Sequence, residues 1–230
     1  MSTTVTFNRP DGQVIKGYLA EPAYTAGAPA IVVIQEWWGV NDQIRATADR
    51  LASAGYIALV PDLYRGKSAV EAEEAHHLMT GLNFDDAASQ DVRGAVQYLK
   101  NRSRKVGVAG FCIGGALTLM ALCRVPEIDA GVVWYGFPPL ESIDATKIRV
   151  PLQGHWATQD EFFPIATVDQ LQDKLREAGA TFDFHRYLAR HAFANETAVG
   201  PRRLPQNQYD PVWSQQAWDR TFSFFGHWLR

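Results

Sequence analysis

The chain alternates short continuous apolar runs with longer stretches of helical spacing. Ala30-Ile31-Val32-Val33-Ile34 is an unbroken, mostly β-branched run of strand length, the pattern of a strand buried on both faces. Asp42 offers an N-cap-like start for a helix through about Ala54, which Gly55 ends. Tyr56-Ile57-Ala58-Leu59-Val60 is the next apolar run and stops at Pro61. Helical spacing follows from about Val70 to Thr80 and again from Asp85 to Asn101. Lys105 to Ala109 predicts a strand, Ile113 to Arg124 a helix, and Ala130 to Tyr135 and Val150 to Gly154 two more strands. A helix over Ile165 to Ala178 ends at Gly179, and a strand follows at Phe182 to Tyr187. A last helix spans Pro211 to Arg230, with Trp213, Trp218, Phe222, Phe225 and Trp228 at helical spacing for packing.

Strands alternating with helices of this length predict an α/β fold, a mostly parallel sheet covered on both faces. Residues 5–22 hold an earlier and more polar pair of strand-like pieces, which predicts an antiparallel edge. No internal repeat and no low-complexity linker divides the chain, so residues 1–230 read as one domain. Residues 195–210 form the one long loop, and long loops near a site often act as lids.

Composition works mainly by exclusion. Hydrophobic residues make up 47% and charged residues 20%, which excludes disordered and fibrous classes. A formal charge of −3 gives no basic footprint for nucleic acid or an anionic membrane. No signal-peptide pattern and no apolar run near the roughly 20 residues of a membrane span is visible. The expectation is a cytoplasmic protein, a monomer or weak homo-oligomer. If Cys112 and Cys123 share one helix, eleven positions of about 1.5 Å rise separate them by roughly 16 Å. A disulfide needs Cα atoms within about 7 Å, so both read as free thiols, in keeping with a reducing compartment.

The chemistry concentrates at Val108-Ala109-Gly110-Phe111-Cys112-Ile113-Gly114-Gly115. A β-run enters a G-x-C-x-G element and a helix leaves it, the layout of a nucleophile elbow. Gly110 and Gly114 are small where strand and helix cross. The helix N-terminus beyond Cys112 favours a thiolate and a developing oxyanion. A thiol nucleophile needs a base oriented by a third group. On this fold the acid and then the histidine come from loops after later strands. Asp160 and His191 stand in those loops in that order; Glu161 and Asp169 are the alternative acids.

The chain resembles the dienelactone hydrolase family, within the α/β-hydrolase fold, over nearly its whole length. The matching pieces are Gln35-Glu36-Trp37-Trp38-Gly39, Pro61-Asp62-Leu63-Tyr64, Gly110 to Gly115, Gln159-Asp160 before Phe163-Pro164, and His191-Ala192-Phe193. The resemblance implies a triad of Cys112, Asp160 and His191, with Glu36 as the family's active-site glutamate. It implies that Glu36 holds the resting cysteine and takes its proton when substrate enters, the thiolate then turning to the histidine. It also implies an oxyanion hole at the backbone N–H groups of Trp37 and Ile113. Trp38, Tyr135, Phe163 and Asn195 are candidates for substrate binding, the aromatics as walls of an apolar pocket.

The sequence departs from the family type at two arginines that grip the substrate carboxylate in its best-known members. One position, four after the histidine, is Asn195 here, and residues 71–80 supply no arginine for the other. A neutral amide does not replace an arginine fork on a carboxylate. The departure points away from a carboxylated dienelactone, with Arg65, Arg202 and Arg203 as remaining sources of charge.

Other signals are set aside. Gly66-Lys67-Ser68 lacks the first glycine of a phosphate-binding loop, where Pro61 stands. There is no H-E-x-x-H, and adjacent His76 and His77 point apart on a helix, so they read as surface or pocket-lining groups. His155 and His185 read as structural. The expectation is a cysteine-dependent lactone or activated-ester hydrolase acting on a small molecule, without cofactor or metal. The rivals are a broad carboxylesterase on open-chain esters and a non-hydrolytic thiol-redox or binding protein.

Overall fold

The computed structural model describes residues 1–200 and 204–230. Those residues build one eight-stranded sheet. Its strands are β1 (Ser2–Asn8), β2 (Val14–Ala20), β3 (Ala30–Ile34), β4 (Ile57–Pro61), β5 (Val106–Phe111), β6 (Ala130–Trp134), β7 (Leu152–Ala157) and β8 (Phe182–Tyr187). The order across the sheet is β1-β2-β4-β3-β5-β6-β7-β8. β1 pairs antiparallel with β2, and β2 with β4; all other pairings are parallel. The polar pair at the N-terminus is thus the antiparallel edge that its alternating burial requires.

Every residue of β3, β4, β5 and β6 is buried, which is why these strands read as continuous apolar runs. The period of two sorts their side chains. Val32, Ile34 and Val108 face one apolar cluster, and Ile31, Val33 and Ala109 face the other. The first cluster lies under α4 (Arg93–Lys100), α5 (Ile113–Arg124) and α6 (Ile165–Glu177). The second lies under α1 (Asp42–Ser53) and α7 (Pro211–Trp228). The remaining helices are α2 (Ala72–Thr80) and the short α3 (Phe84–Asp86).

Three local readings need correction. The α1 cap is Asn41, not Asp42: the Asn41 side chain accepts from the Ile44 N–H at 3.1 Å. The helix expected over 85–101 is interrupted by a π segment at Ala87–Val92, where buried Asp91 accepts from Arg9 at 3.0 Å and from Arg65 at 2.8 Å. The strand expected at 150–154 begins at Leu152 and runs on to Ala157, because its ladder with β8 continues through His155↔His185 to Ala157↔Tyr187.

The chain order reverses between β3 and β5, which lie side by side although β4 falls between them in sequence. In open α/β sheets the crevice beyond such a switch point is where ligands bind. Glu36 leaves β3 and Cys112 leaves β5 at that place, and Asp160 and His191 follow β7 and β8 on the same edge.

Candidate active site

Cys112 sits between β5 and α5 with φ 55° and ψ −117°, a conformation that L-residues rarely adopt. Backbone crowding holds it. A Cβ on Gly110 would strike the Gly114 carbonyl and lie 2.5 Å from Thr118 Oγ1. A Cβ on Gly114 would strike the backbone at the end of β3, and one on Gly136 would strike the Cys112 carbonyl. Gly110 serves the strand–helix crossing as expected, whereas Gly114 makes room for the neighbouring strand. The Cys112 N–H donates to the Trp134 carbonyl at 3.0 Å, tying the turn to β6.

The half-buried Cys112 Sγ is 3.2 Å from His191 Nε2. His191 Nδ1 is 2.7 Å from Asp160 Oδ2, and both side chains are buried. Asp160 Oδ1 accepts from the N–H groups of Phe162 and Phe163 at 2.9 and 3.0 Å, which fixes the carboxylate's orientation. The alternative acids are engaged elsewhere: Asp169 pairs with Arg186 at 2.5 Å, and Glu161 lies 3.8 Å from Arg190. Burial works against a charged His191, but the negative charge of Cys112 and the bond from Asp160 prevail and raise its pKa to about 10. That shift favours a protonated His191 beside the sulfur.

Glu36 is buried and held by two neutral donors. The Tyr135 hydroxyl donates to Oε1 at 3.1 Å and the Asn195 amide to Oε2 at 2.7 Å. Asn195 is itself fixed through Oδ1, which accepts from the N–H and hydroxyl of Thr197 at 2.9 and 2.6 Å. Burial raises the Glu36 pKa; His191 and the two donors oppose it without reversing it. Burial, followed by the Glu36 charge, raises Tyr135 well above its ordinary value.

Cys112 opens on a cavity of about 390 Å³. Trp37, Met79, Ile113, Phe162, Phe163 and Leu204 give it apolar walls, and Glu36, His76, His191 and Asn207 complete the lining. Trp37 and Ile113 thus stand beside the sulfur, and Phe163 is a wall, as the sequence suggests. The other three substrate-binding candidates are placed differently. Tyr135 is fully buried and turned to Glu36, Asn195 is buried against Glu36, and Trp38 and Asn195 line a neighbouring hollow with Asn41 and Val70. Trp38 stands inside a motif, Tyr135 at a strand end and Asn195 just past a motif, and sequence position alone does not tell a wall from a support.

Met79, Leu204 and Asn207 are lining residues that motif reading did not single out, and His76, read as a surface or pocket-lining group, joins them. His76 and Met79 lie one helical turn apart on α2, which is the only hint the sequence carries. Arg65 donates to Asp91 at 2.8 and 3.0 Å and is committed there. Arg202 and Arg203 lie outside the described residues. His155 is fully buried between Tyr187 Oη at 2.8 Å and Thr221 Oγ1 at 2.9 Å, a structural role as expected. Among the described residues no group of three or more His, Cys, Asp or Glu side chains is placed to hold a metal ion. No described helix is long and apolar enough to cross a membrane.

Sheet order and elbow together define an α/β-hydrolase. A crystal structure of a provisionally assigned dienelactone hydrolase from Klebsiella pneumoniae shares this fold with a TM-score of 0.84 at 24% identity, over 99% of this chain and 100% of that one. A dienelactone hydrolase-like promiscuous phosphotriesterase from metagenomic libraries gives 0.83 at 21% identity, over 100% and 99%. The model of the dienelactone hydrolase family matches residues 15–229. Protein usf of Aquifex pyrophilus is 35% identical over the whole of both chains, and a provisionally named carboxymethylenebutenolidase of Aquifex aeolicus is 31% identical, again over the whole of both. The chain belongs to the dienelactone hydrolase family. It is a hydrolase acting on carboxylic ester bonds.

Proposed function

We propose that the chain hydrolyses an uncharged lactone or activated carboxylic ester through a thioester on Cys112. The observation that carries this is the continuous contact from Asp160 through His191 to Cys112, at 2.7 and 3.2 Å, on the floor of an apolar cavity. The sulfur attacks the acyl carbon, and the carbonyl oxygen takes up negative charge beside the backbone N–H groups of Trp37 and Ile113. As the C–O bond breaks, the His191 imidazolium gives its proton to the leaving oxygen. His191 then takes a proton from water, the hydroxyl attacks the thioester, and the thiolate leaves. Asp160 keeps the imidazole in the tautomer both steps need. Glu36, more ready than a solvated carboxyl to keep its proton, is the proton store beside the resting sulfur.

Apart from His191 and the exposed His76, the described lining offers no cation to a substrate carboxylate, which favours an uncharged acyl group. The same apolar walls suit open-chain aryl esters, so an esterase is the second reading. The test is steady-state hydrolysis of an uncharged enol lactone, an aryl ester of matched leaving-group pKa and a carboxylated dienelactone. The expected order puts both uncharged substrates ahead of the carboxylated one, and Cys112→Ala abolishes all turnover. A carboxylated substrate that wins, and loses its advantage when Arg202 and Arg203 are changed to Ala, would overturn the assignment of substrate charge.

A further inference from the structure

Tyr64 has no part in the mechanism above and lies outside the cavity lining, in the buried cluster against which Trp37 and Cys112 pack. It follows β4, is 6% exposed, and its ring packs against the turn that carries Glu36 and Trp37: a Cβ on Gly39 would lie 3.2 Å from Tyr64 Cδ2. Backbone bonds tie the two segments together, with the Ala69 N–H donating to the Trp38 carbonyl at 2.9 Å and a bridge between Gly39 and Ser68. Tyr64 and Ile113 share one buried cluster, and Trp37 and Cys112 pack against it.

The Tyr64 hydroxyl is buried and finds no hydrogen-bond partner among the described residues. Buried phenols normally have one, and a missing partner costs the hydroxyl its hydration without return. The contrast with other buried tyrosines is plain, since Tyr135 donates to Glu36 and Tyr187 bonds His155. Burial, and then the negative charge of Cys112, make Tyr64 harder to ionise, so the O–H stays intact. Tyr135 and His191 also feel the Cys112 charge, while Glu36 and His76 line the same cavity. A cysteine side chain has one torsion with staggered alternatives, so its sulfur can leave His191 by a single rotation.

We propose that the Tyr64 hydroxyl is a positioning donor for the Cys112 sulfur, receiving it when the side chain turns away from His191 and holding it as a thiolate there. The proposal rests on Cys112 being the nucleophile. It accounts for an orphaned hydroxyl at this place: its partner is the group that moves.

The experiment compares wild type with Tyr64→Phe, which removes only the oxygen, and Tyr64→Leu, which also removes the ring. Three quantities are followed: the pH profile of iodoacetamide alkylation at Cys112, resolved from Cys123 by peptide mass; kcat and KM on an uncharged aryl ester; and Tm. In Tyr64→Phe the alkylation midpoint rises by about one pH unit, the effect of losing a hydrogen bond to a charged group. On the same basis kcat falls about tenfold with KM little changed. Tm holds or rises, because a hydroxyl that was never paired is gone. Profiles and kcat that superpose on wild type, or a loss seen only in Tyr64→Leu, overturn the proposal. Ester turnover surviving in Cys112→Ala would overturn the nucleophile instead, and the alkylation profile would still report on Tyr64.

Discussion

The Glu36 carboxyl and the Asn195 amide meet at 2.7 Å with both side chains out of solvent. The carboxyl's other oxygen takes the Tyr135 hydroxyl, so its two hydrogen bonds come from uncharged donors. Burial is the largest influence on Glu36 and favours the protonated form. Its folded pKa is raised above the ordinary 4.5, so the folded state binds the proton more tightly than the unfolded one. Stability from this group is present at low pH and is lost as pH climbs from 4.5 through the folded value. Glu36→Gln removes that loss. Melting curves across this range are expected to converge at acid pH and to separate above it, with the variant the more stable. Parallel curves would count against a carboxyl that resists ionisation.

Asn195→Ala leaves the Glu36 carboxyl and two Thr197 donors short of a partner. A cost of about 1–3 kcal/mol in denaturant unfolding is expected, the usual penalty for orphaning buried polar groups. A double-mutant cycle with Glu36→Gln shows whether the two costs share a cause. Additive losses would mean that the 2.7 Å contact carries little energy.

His155 supplies an acid limb of the opposite kind. Burial, with help from the charges of His185 and Arg220, pushes its pKa well below 6.5. Its stability contribution is therefore present above 6.5 and is lost as pH falls below that value, where only the unfolded state takes up the proton. His155→Gln keeps side-chain hydrogen bonding within reach and removes the titration. Its Tm is expected to fall less steeply on acidification than that of wild type.

Gly110→Ala tests the elbow. The added methyl meets the Gly114 carbonyl and the Thr118 hydroxyl, neither of which is the free end of a flexible chain. Overpacking of this kind costs about 1–3 kcal/mol and displaces the turn that aims Cys112. The expected result is a lower Tm together with a loss of activity at temperatures where the variant remains folded.

Much of this was legible in the sequence because it has local causes. Continuous apolar runs announce β3 and β4, strands are expected where β5 and β6 lie, and α5 and β8 have the bounds that the pattern predicts. Cys112, Asp160 and His191 were marked by their places after strands, and parallel pairing brings such loops to one edge. What escaped depends on contacts distant in sequence. The π segment answers to Asp91 meeting Arg9 across the fold, and β7 runs longer because β8 lies beside it. Tyr135 reads as a pocket wall and Asn195 as a substrate-binding group, but their partner is a carboxyl 99 and 159 positions away in the chain. Tyr64 belonged to a recognised motif, yet only coordinates reveal a hydroxyl without a partner.

Acylation of Cys112 during turnover is open to direct observation. An uncharged aryl ester is mixed with the protein, the reaction is quenched in acid within one turnover, and the peptides are mapped by mass. The expected result is one acyl group on Cys112, none on Cys123, formed with the burst of released phenol and decaying at the steady-state rate. Asp160→Asn weakens the support of His191 and is expected to slow formation of the adduct about a hundredfold or more. A burst with no acyl mass on Cys112, or undiminished turnover in Cys112→Ala, would contradict the account.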